Sequence, residues 1–486
     1  MKQAFNNFIK VFFTNGLLLI SGILVGFIIP RIMGVEDYAY YKTFSLYNSY
    51  KELITFGISE GMYLWLAGKP YDDDLISHLK FATKFFILLE GVLSLIIIII
   101  ALSCYQINPV YSWIFVLTSL FCFAANIESF FASVSQSLKE FKIFTQLVSI
   151  KSILTIISVF SLYCLHKFGE AEIFFYYYAI VTIILSLLND IVYFIYYLQK
   201  SKNHTVDIGS WTKFLKLIIS LGIPLLLANL CQTMILTIDR QIISIFYPVE
   251  KSNVFALYSF AYNLLALVSS MVSAIATVLF PYMKGKDENK LINIFPLMHC
   301  SLLIVLAFGC CIYFFMVPII DWLLPKYNDS LPIFKVLLPG IVISSTISIL
   351  FHSYYKTFAL EKAYFIQSLI VLFAALLTDL GVYYLVILKY SPNNPIGIAV
   401  ASTVVMFLWY FCSLLYFQKK HPVKHIKNDI FMVAFISAFY IVSIFVTSWW
   451  IGFLVYFSFA CVLSFLLYHK EARKLVILIK EKKKNE

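Results

Sequence analysis

The ionisable residues that could do chemistry in this chain sit in apolar surroundings. Glu52, Glu60, Glu90, Glu128, Asp190 and Asp379 lie within or beside long hydrophobic runs. A carboxylate there is expensive, and it serves as partner for a proton, a cation or a buried base. Arg31 and Arg240 each end an apolar run. The planar guanidinium donates paired hydrogen bonds to phosphate or diphosphate and stays charged when partly desolvated. Both arginines also admit a plainer role, snorkelling to lipid headgroups, and Arg240 could simply pair with Asp239. The usual catalytic signatures are missing: neither GxxxxGK[ST] nor HExxH occurs, which argues against an ATPase or a metalloprotease. The nine cysteines form no CxxC pair and Cys310 adjoins Cys311, so they read as small apolar packing residues and not as a zinc site or disulfide framework. No metal and no other cofactor is expected, and no nucleic-acid partner.

Neutral polar residues fall in stripes. Read as one helix at 100° per residue, Ser45, Asn48, Ser49, Glu52, Thr55, Ser59 and Glu60 project within about 140°, with Lys51 at the edge. Ser259, Tyr262, Asn263, Ser270, Ser273 and Thr277 form a second stripe, and Asn229, Gln232, Thr233 and Arg240 share one side of a third segment. Two readings are open: hydrogen bonds that glue helices together, or the lining of a shared water-filled cavity. Glu52, inside the first stripe, is the candidate for coupling a proton to cavity closure, its alternative being a local pair with Lys51. Gly57 with Gly61, and Gly22 with Gly26, form GxxxG pairs that permit close helix approach. Pro224, beside Gly222, is a candidate hinge or a static kink.

These residues must be positioned by helices in a bilayer. Of 486 residues, 61% are apolar and only 13% charged, which excludes a water-soluble domain. Apolar runs of roughly 20 residues recur from end to end. Their centres, near residues 20, 55, 91, 122, 154, 184, 228, 266, 305, 344, 375, 406, 438 and 458, give about 14 transmembrane helices, an all-α polytopic integral membrane protein. The second run is the most polar, and the last two are separated only by a turn around Ser448 and Trp449, so twelve or thirteen spans also fit. No cleavable signal peptide is apparent in the first run. With the N-terminus inside, most of the 37 lysines and arginines fall in inner segments, Lys139, Lys142 and Lys151 among them, and both termini are cytoplasmic. No connection exceeds about 20 residues, so no extramembrane catalytic domain is housed here.

Arg31 and Arg240 are followed at similar distances by FSLYNSY (44–50) and FALYSFAYN (255–263). That weak similarity suggests a duplicated half, with lobes over 1–200 and 201–425, two extra helices over 426–470 and a basic cytoplasmic tail over 471–486. The stretch GILVGFIIPRIMGVEDYAYYKTFSLYNSY, then FGISEGMYLWLAGK, GIPLLL, TIDRQIISIFY and ALYSFAYN, resembles the Wzx-type polysaccharide flippases of the multidrug/oligosaccharidyl-lipid/polysaccharide exporter superfamily over nearly the whole chain. Ala39 departs from the pattern, in which Gly often stands between the two tyrosines.

The resemblance implies two pseudo-symmetric six-helix lobes plus two C-terminal helices in the bacterial cytoplasmic membrane. It implies translocation of undecaprenyl-diphosphate-type lipid-linked oligosaccharide by alternating access, for O-antigen, capsule, exopolysaccharide or teichoic acid synthesis. It further implies a cationic central cavity, which suits a diphosphate; the chemistry of the residues makes Arg31 and Arg240 the candidates for that anionic end and Asn48, Ser49, Gln232 and Asn263 those for sugar, with Lys51, Glu52 and Tyr262 also in the expected cavity. Membrane lipids, H+ or Na+, and the polysaccharide polymerase machinery are the expected partners. The main alternative is a multidrug or metabolite antiporter of the same superfamily, which the embedded carboxylates keep open. A membrane polysaccharide polymerase is the other, and it would need a long external loop; the expected protein is not an enzyme.

Overall fold

The computed structural model describes residues 2–67, 69, 72–169, 172–200, 211–283, 287–358, 360–390, 394–421 and 426–484, without the side chains of 2–12, 15, 270–283, 356, 361, 390 and 470–484. Every regular element among the described residues is helical. The first ten helices are α1 Lys2–Ile32, α2 Val35–Asn48, α3 Ile58–Leu66, α4 Asp73–Ser103, α5 Pro109–Ser137, α6 Phe141–Phe168, α7 Phe175–Lys200, α8 Trp211–Ile235, α9 Ile238–Phe246 and α10 Val254–Met283. The others are α11 Glu288–Gly309, α12 Ile312–Leu323, α13 Leu331–Thr346, α14 His352–Thr357, α15 Glu361–Val382, α16 Leu388–Tyr390, α17 Ile396–Lys420, α18 Ile426–Phe445 and α19 Trp449–Lys484. The residue-470 limit of the expected tail lies inside α19.

Among the described residues eleven stretches are long and apolar enough to cross a membrane, and Gly16–Ile32 and Val254–Ser269 are shorter apolar helices. Adding the broken second segment accounts for the span count read from composition. Helix starts follow local chemistry. Asp72 caps α4, its carboxylate accepting from Leu75 N at 2.9 Å, with Asp73 and Asp74 in the positive first turn. Asn108 caps α5, accepting from Val110 N and Tyr111 N, with Pro109 at a position that lacks a partner for an N–H anyway.

Two expected single helices are broken. After Asn48 the chain tightens into a 3₁₀ turn over Lys51–Thr55, then passes through Phe56 (φ 49°) and Gly57 (φ 76°) before α3 begins. A left-handed residue resets the helical azimuth, so the single-helix projection of the stripe from Ser45 to Glu60 does not hold. The seventh span also breaks, α8 ending at Ile235 and α9 starting at Ile238, so Arg240 sits in α9 and does not close one continuous helix. Pro224 lies inside unbroken α8. Lys151, expected at the inner surface, lies in the body of α6.

The contacts divide the chain into two compact units. The first holds residues 1–259 with 361–372. Its core is built on Met62, Leu66, Phe86, Phe130, Ile218 and Tyr193, with Phe86 stacked on Phe130 at 4.9 Å and Phe131 on Tyr193 at 5.6 Å. Aromatic rings fill such interfaces with large area and fixed geometry. The second unit holds 260–360 with 373–486. There Phe295 stacks on Phe417 at 4.6 Å, and Gly340 lets α13 approach the backbone of α17 at Thr403. None of the nine cysteines is joined in a disulfide.

Candidate functional site

Within the first unit, the two helix breaks meet. Tyr50, just past the end of α2, shares a 2.7 Å hydrogen bond with Oγ1 of Thr237, which precedes α9. A few residues on, the Gly57 turn lies backbone to backbone with α8. A Cβ on Gly222 would stand 1.8 Å from Gly57 O, and one on Gly61 would stand 2.2 Å from Ile218 O. The Gly57–Gly61 pair thus permits a contact no other residue fits. At Gly22 an added Cβ meets nothing within 4 Å, so that position makes no such approach. Non-helical backbone at membrane depth persists only where protein buries it or water reaches it.

Around the meeting point lie six of the nine residues expected to contact substrate. Asn48 is 9% exposed, and Ser49 Oγ donates to Leu46 O at 2.5 Å. Lys51 Nζ donates to Ala125 O at 3.4 Å, while Lys51 O accepts from Asn126 Nδ2 at 2.9 Å. Asn126 Nδ2 also donates to Glu90 Oε2 at 3.0 Å, and both side chains are buried, so the 3₁₀ turn is pinned to α4 and α5. The half-buried carboxylate of Glu52 has no hydrogen bond or ion pair among the described residues. Gln232 Oε1 accepts from Tyr364 OH at 3.1 Å. Arg240 is half-buried and donates through Nη2 to Leu236 O at 3.3 Å, and Lys42 of α2 lies close enough to feel its charge. Asp239 accepts from the backbone N of Arg240 at 2.7 Å and from Tyr258 OH at 2.8 Å. Arg31, in the last turn of α1, is exposed and makes no bond among the described residues.

Tyr262 and Asn263 belong to the second unit; Tyr262 is buried and Asn263 half-buried. The side chains of Ser270, Ser273 and Thr277, which completed that stripe, lie outside the described residues.

A second polar cluster lies among α5, α6 and α7. Lys151 Nζ donates to Glu128 Oε2 at 2.5 Å and Ser186 Oγ at 2.9 Å, and Asn189 Nδ2 donates to Glu128 Oε1 at 3.0 Å. Beside them Asp190 is 7% exposed, and neither of its oxygens has a partner among the described residues. Asn126, Asn189 and Tyr50 were not singled out by sequence reasoning. A lone amide or phenol in an apolar run carries no signal until its partner on another helix is known.

This geometry has relatives. A solved structure titled "Lipid II flippase MurJ, inward closed conformation" matches with a TM-score of 0.63 at 16% identity, covering 95% of this chain and 98% of that one. An outward-facing multidrug resistance MATE transporter of the MOP superfamily matches at 0.55 and 12%, covering 85% and 95%. The MATE transporter ClbM in complex with Rb+ matches at 0.51 and 13%, covering 84% and 94%. Identities this low show a shared fold alone, the fold of membrane transporters and flippases. In sequence, none of the curated proteins matches the chain. The family model described as "Polysaccharide biosynthesis protein" matches residues 6–285, more than half the chain and all of the region where the two breaks meet. The chain belongs to the polysaccharide biosynthesis protein family.

Proposed function

We propose that this membrane protein is a flippase for lipid-diphosphate-linked oligosaccharide. The observation that carries the reading is the meeting of two broken helices at Tyr50 and Thr237, with Asn48, Lys51, Glu52, Gln232 and Arg240 around it. Discontinuous helices place backbone dipoles and polar side chains where a transporter takes hold of cargo. Amides and hydroxyls exchange hydrogen bonds between water and glycan at little net cost, and arginine suits diphosphate. In this reading Asn48, Ser49, Gln232 and Asn263 face sugar, Arg31 and Arg240 face the diphosphate, Lys51 and Tyr262 line the same cavity, Glu52 couples a proton, and Pro224 hinges α8. The lobes 1–200 and 201–425, the extra helices 426–470 and the basic tail 471–486 complete it. Both termini are cytoplasmic, and the product feeds surface polysaccharide synthesis. Family membership supports the polysaccharide side of this reading, and the fold supports transport by alternating access in place of enzymatic chemistry.

A multidrug or metabolite antiporter is the second reading, favoured by the embedded carboxylates. Glu128 is paired with Lys151, however, which removes one of these carboxylates as a counter-charge for a cationic drug. The deciding experiment reconstitutes the full chain in liposomes and follows outer-leaflet accessibility of lipid-diphosphate oligosaccharide against uptake of a cationic dye. Movement of the glycolipid without the dye supports the proposal, and the reverse overturns it.

A further inference from the structure

The second unit has a break of its own, and the C-terminal helices reach it. Between α11 and α12 the chain passes Cys310 (φ −65°, ψ −21°) and Cys311 (φ −58°, ψ −23°) without leaving right-handed backbone. Those angles belong to a 3₁₀ turn, and the pairing agrees. Cys311 N donates to Phe308 O at 3.1 Å, Tyr313 N to Cys310 O at 3.2 Å and Phe314 N to Cys311 O at 3.2 Å, each reaching three residues back instead of four. Ala307 O is the carbonyl that Cys311 N would take in an α-helix. It keeps a 3.3 Å bond from Cys310 N, and Tyr456 OH of α19 donates to it at 2.9 Å. Tyr456 and Cys310 are both fully buried. A carbonyl at that depth must find its donors inside the protein, and the tyrosine is one of them.

Aromatic rings seat α12 on the same helix. Phe314 lies against Tyr456 at 5.9 Å and Phe315 against Phe453 at 4.6 Å. A Cβ on Gly452 would stand 2.7 Å from the Phe314 ring, so α19 offers a notch that this ring fills. Shortened pairing inside a long helix marks a hinge or a strained sequence. An α-helix turns about 100° and rises about 1.5 Å per residue, a 3₁₀-helix about 120° and 2.0 Å. Returning three residues to α pairing would turn α12 by about 60° and draw it in by about 1.5 Å, which would lift Phe314 and Phe315 from their seats. Register and seating therefore change together.

We propose that α19 is a latch that sets the register of α12. With Tyr456 OH on Ala307 O the turn stays tight. When α19 lets go, Cys311 N–H leaves Phe308 O for Ala307 O, and α12 turns and draws in. This gives the C-terminal helix pair a task inside the second unit, whatever the protein carries. Neighbouring contacts of the pair do not share it. Tyr440 OH of α18 donates to Val336 O at 2.8 Å, but Val336 O has another donor in Thr403 Oγ1 at 3.0 Å and lies outside the tightened turn.

The test uses the full-length protein in liposomes, with spin labels at Trp322 on α12 and Leu408 on α17, both exposed. They are attached through a genetically encoded keto side chain, so the cysteines of the turn stay in place. Wild type should give one main distance. Tyr456→Phe removes the hydroxyl and keeps the ring; it should produce a population displaced by up to about 5 Å, the arc that a side chain at the helix surface sweeps in about 60°. Tyr440→Phe should keep the wild-type distance. A wild-type distance in folded Tyr456→Phe, or the same displacement in Tyr440→Phe, would overturn the latch. A measurement on wild type decides the matter if the variant fails to fold. Amide hydrogen exchange from Cys310 to Phe314 should be as slow as from Leu302 to Leu306 in α11, and exchange about tenfold faster in the turn would show it unlatched and overturn the proposal.

Discussion

The crossing of α3 and α8 offers the sharpest test of the packing. In Gly222→Ala the added methyl carbon stands 1.8 Å from Gly57 O and 2.7 Å from Gly61 N. Van der Waals contact needs about 3.5 Å, so the shortfall at Gly57 O is roughly 1.7 Å. Both opposing atoms are backbone and neither can rotate away, so the helices must part along their whole contact. Overpacking of this kind costs about 1–3 kcal/mol, and the upper end is expected because Gly57 is already left-handed and the turn has no spare conformation. The control is Gly22→Ala on α1. Its methyl meets nothing within 4 Å, and the gain in helix propensity is about 0.5–1 kcal/mol. Thermal unfolding of detergent-purified variants, followed by the loss of monodisperse protein, should give a lowered midpoint for Gly222→Ala and an unchanged or raised one for Gly22→Ala. Equal midpoints for Gly222→Ala and wild type would refute the backbone-to-backbone crossing.

Three further outcomes follow from named contacts. Lys151→Met leaves Glu128 without its counter-charge inside the bundle and should cost on the order of 3 kcal/mol, whereas Lys142→Met, which breaks no pair, should be near neutral; equal unfolding midpoints would contradict the paired cluster. Cysteines introduced near Tyr38, Gly169 and Asn328 should be labelled from outside in intact cells and those near Asp73 and Lys420 should not, the reverse pattern overturning the orientation. Glu52→Gln should abolish the response of transport to an imposed proton gradient, and a normal response would remove Glu52 from coupling.

Much of the architecture was legible because a bilayer forces apolar runs of fixed length, and composition alone locates them. The breaks were not. The polar residues from Ser45 to Glu60 keep a smooth 100° progression on paper, and Phe56, an aromatic residue in left-handed backbone, gives no warning. Gly57 was visible as half of a GxxxG, but its partner Gly222 lies 165 residues away and only the folded chain pairs them. Lys151 was misplaced for a related reason. A lysine beside an apolar run looks like an inner-surface anchor unless Glu128 and Ser186, on two other helices, are known to receive it. Arg31 and Arg240, alike in sequence, differ in setting: one is exposed and unbonded among the described residues, the other is half-buried and bonded to Leu236 O.

The central claim is that the residues around the two breaks move a diphosphate-linked glycan, and Arg240 tests it most directly. In liposomes containing a fluorescent lipid-diphosphate oligosaccharide, flipping per protein molecule should be measured for wild type, Arg240→Lys and Arg240→Gln at matched abundance. Loss of a charge-assisted pair of hydrogen bonds is worth about 1.5–3 kcal/mol. The account therefore predicts a fall of roughly ten- to a hundredfold for Arg240→Gln, with Arg240→Lys in between. Wild-type flipping by well-folded Arg240→Gln, or no flipping by the wild-type protein itself, would contradict it.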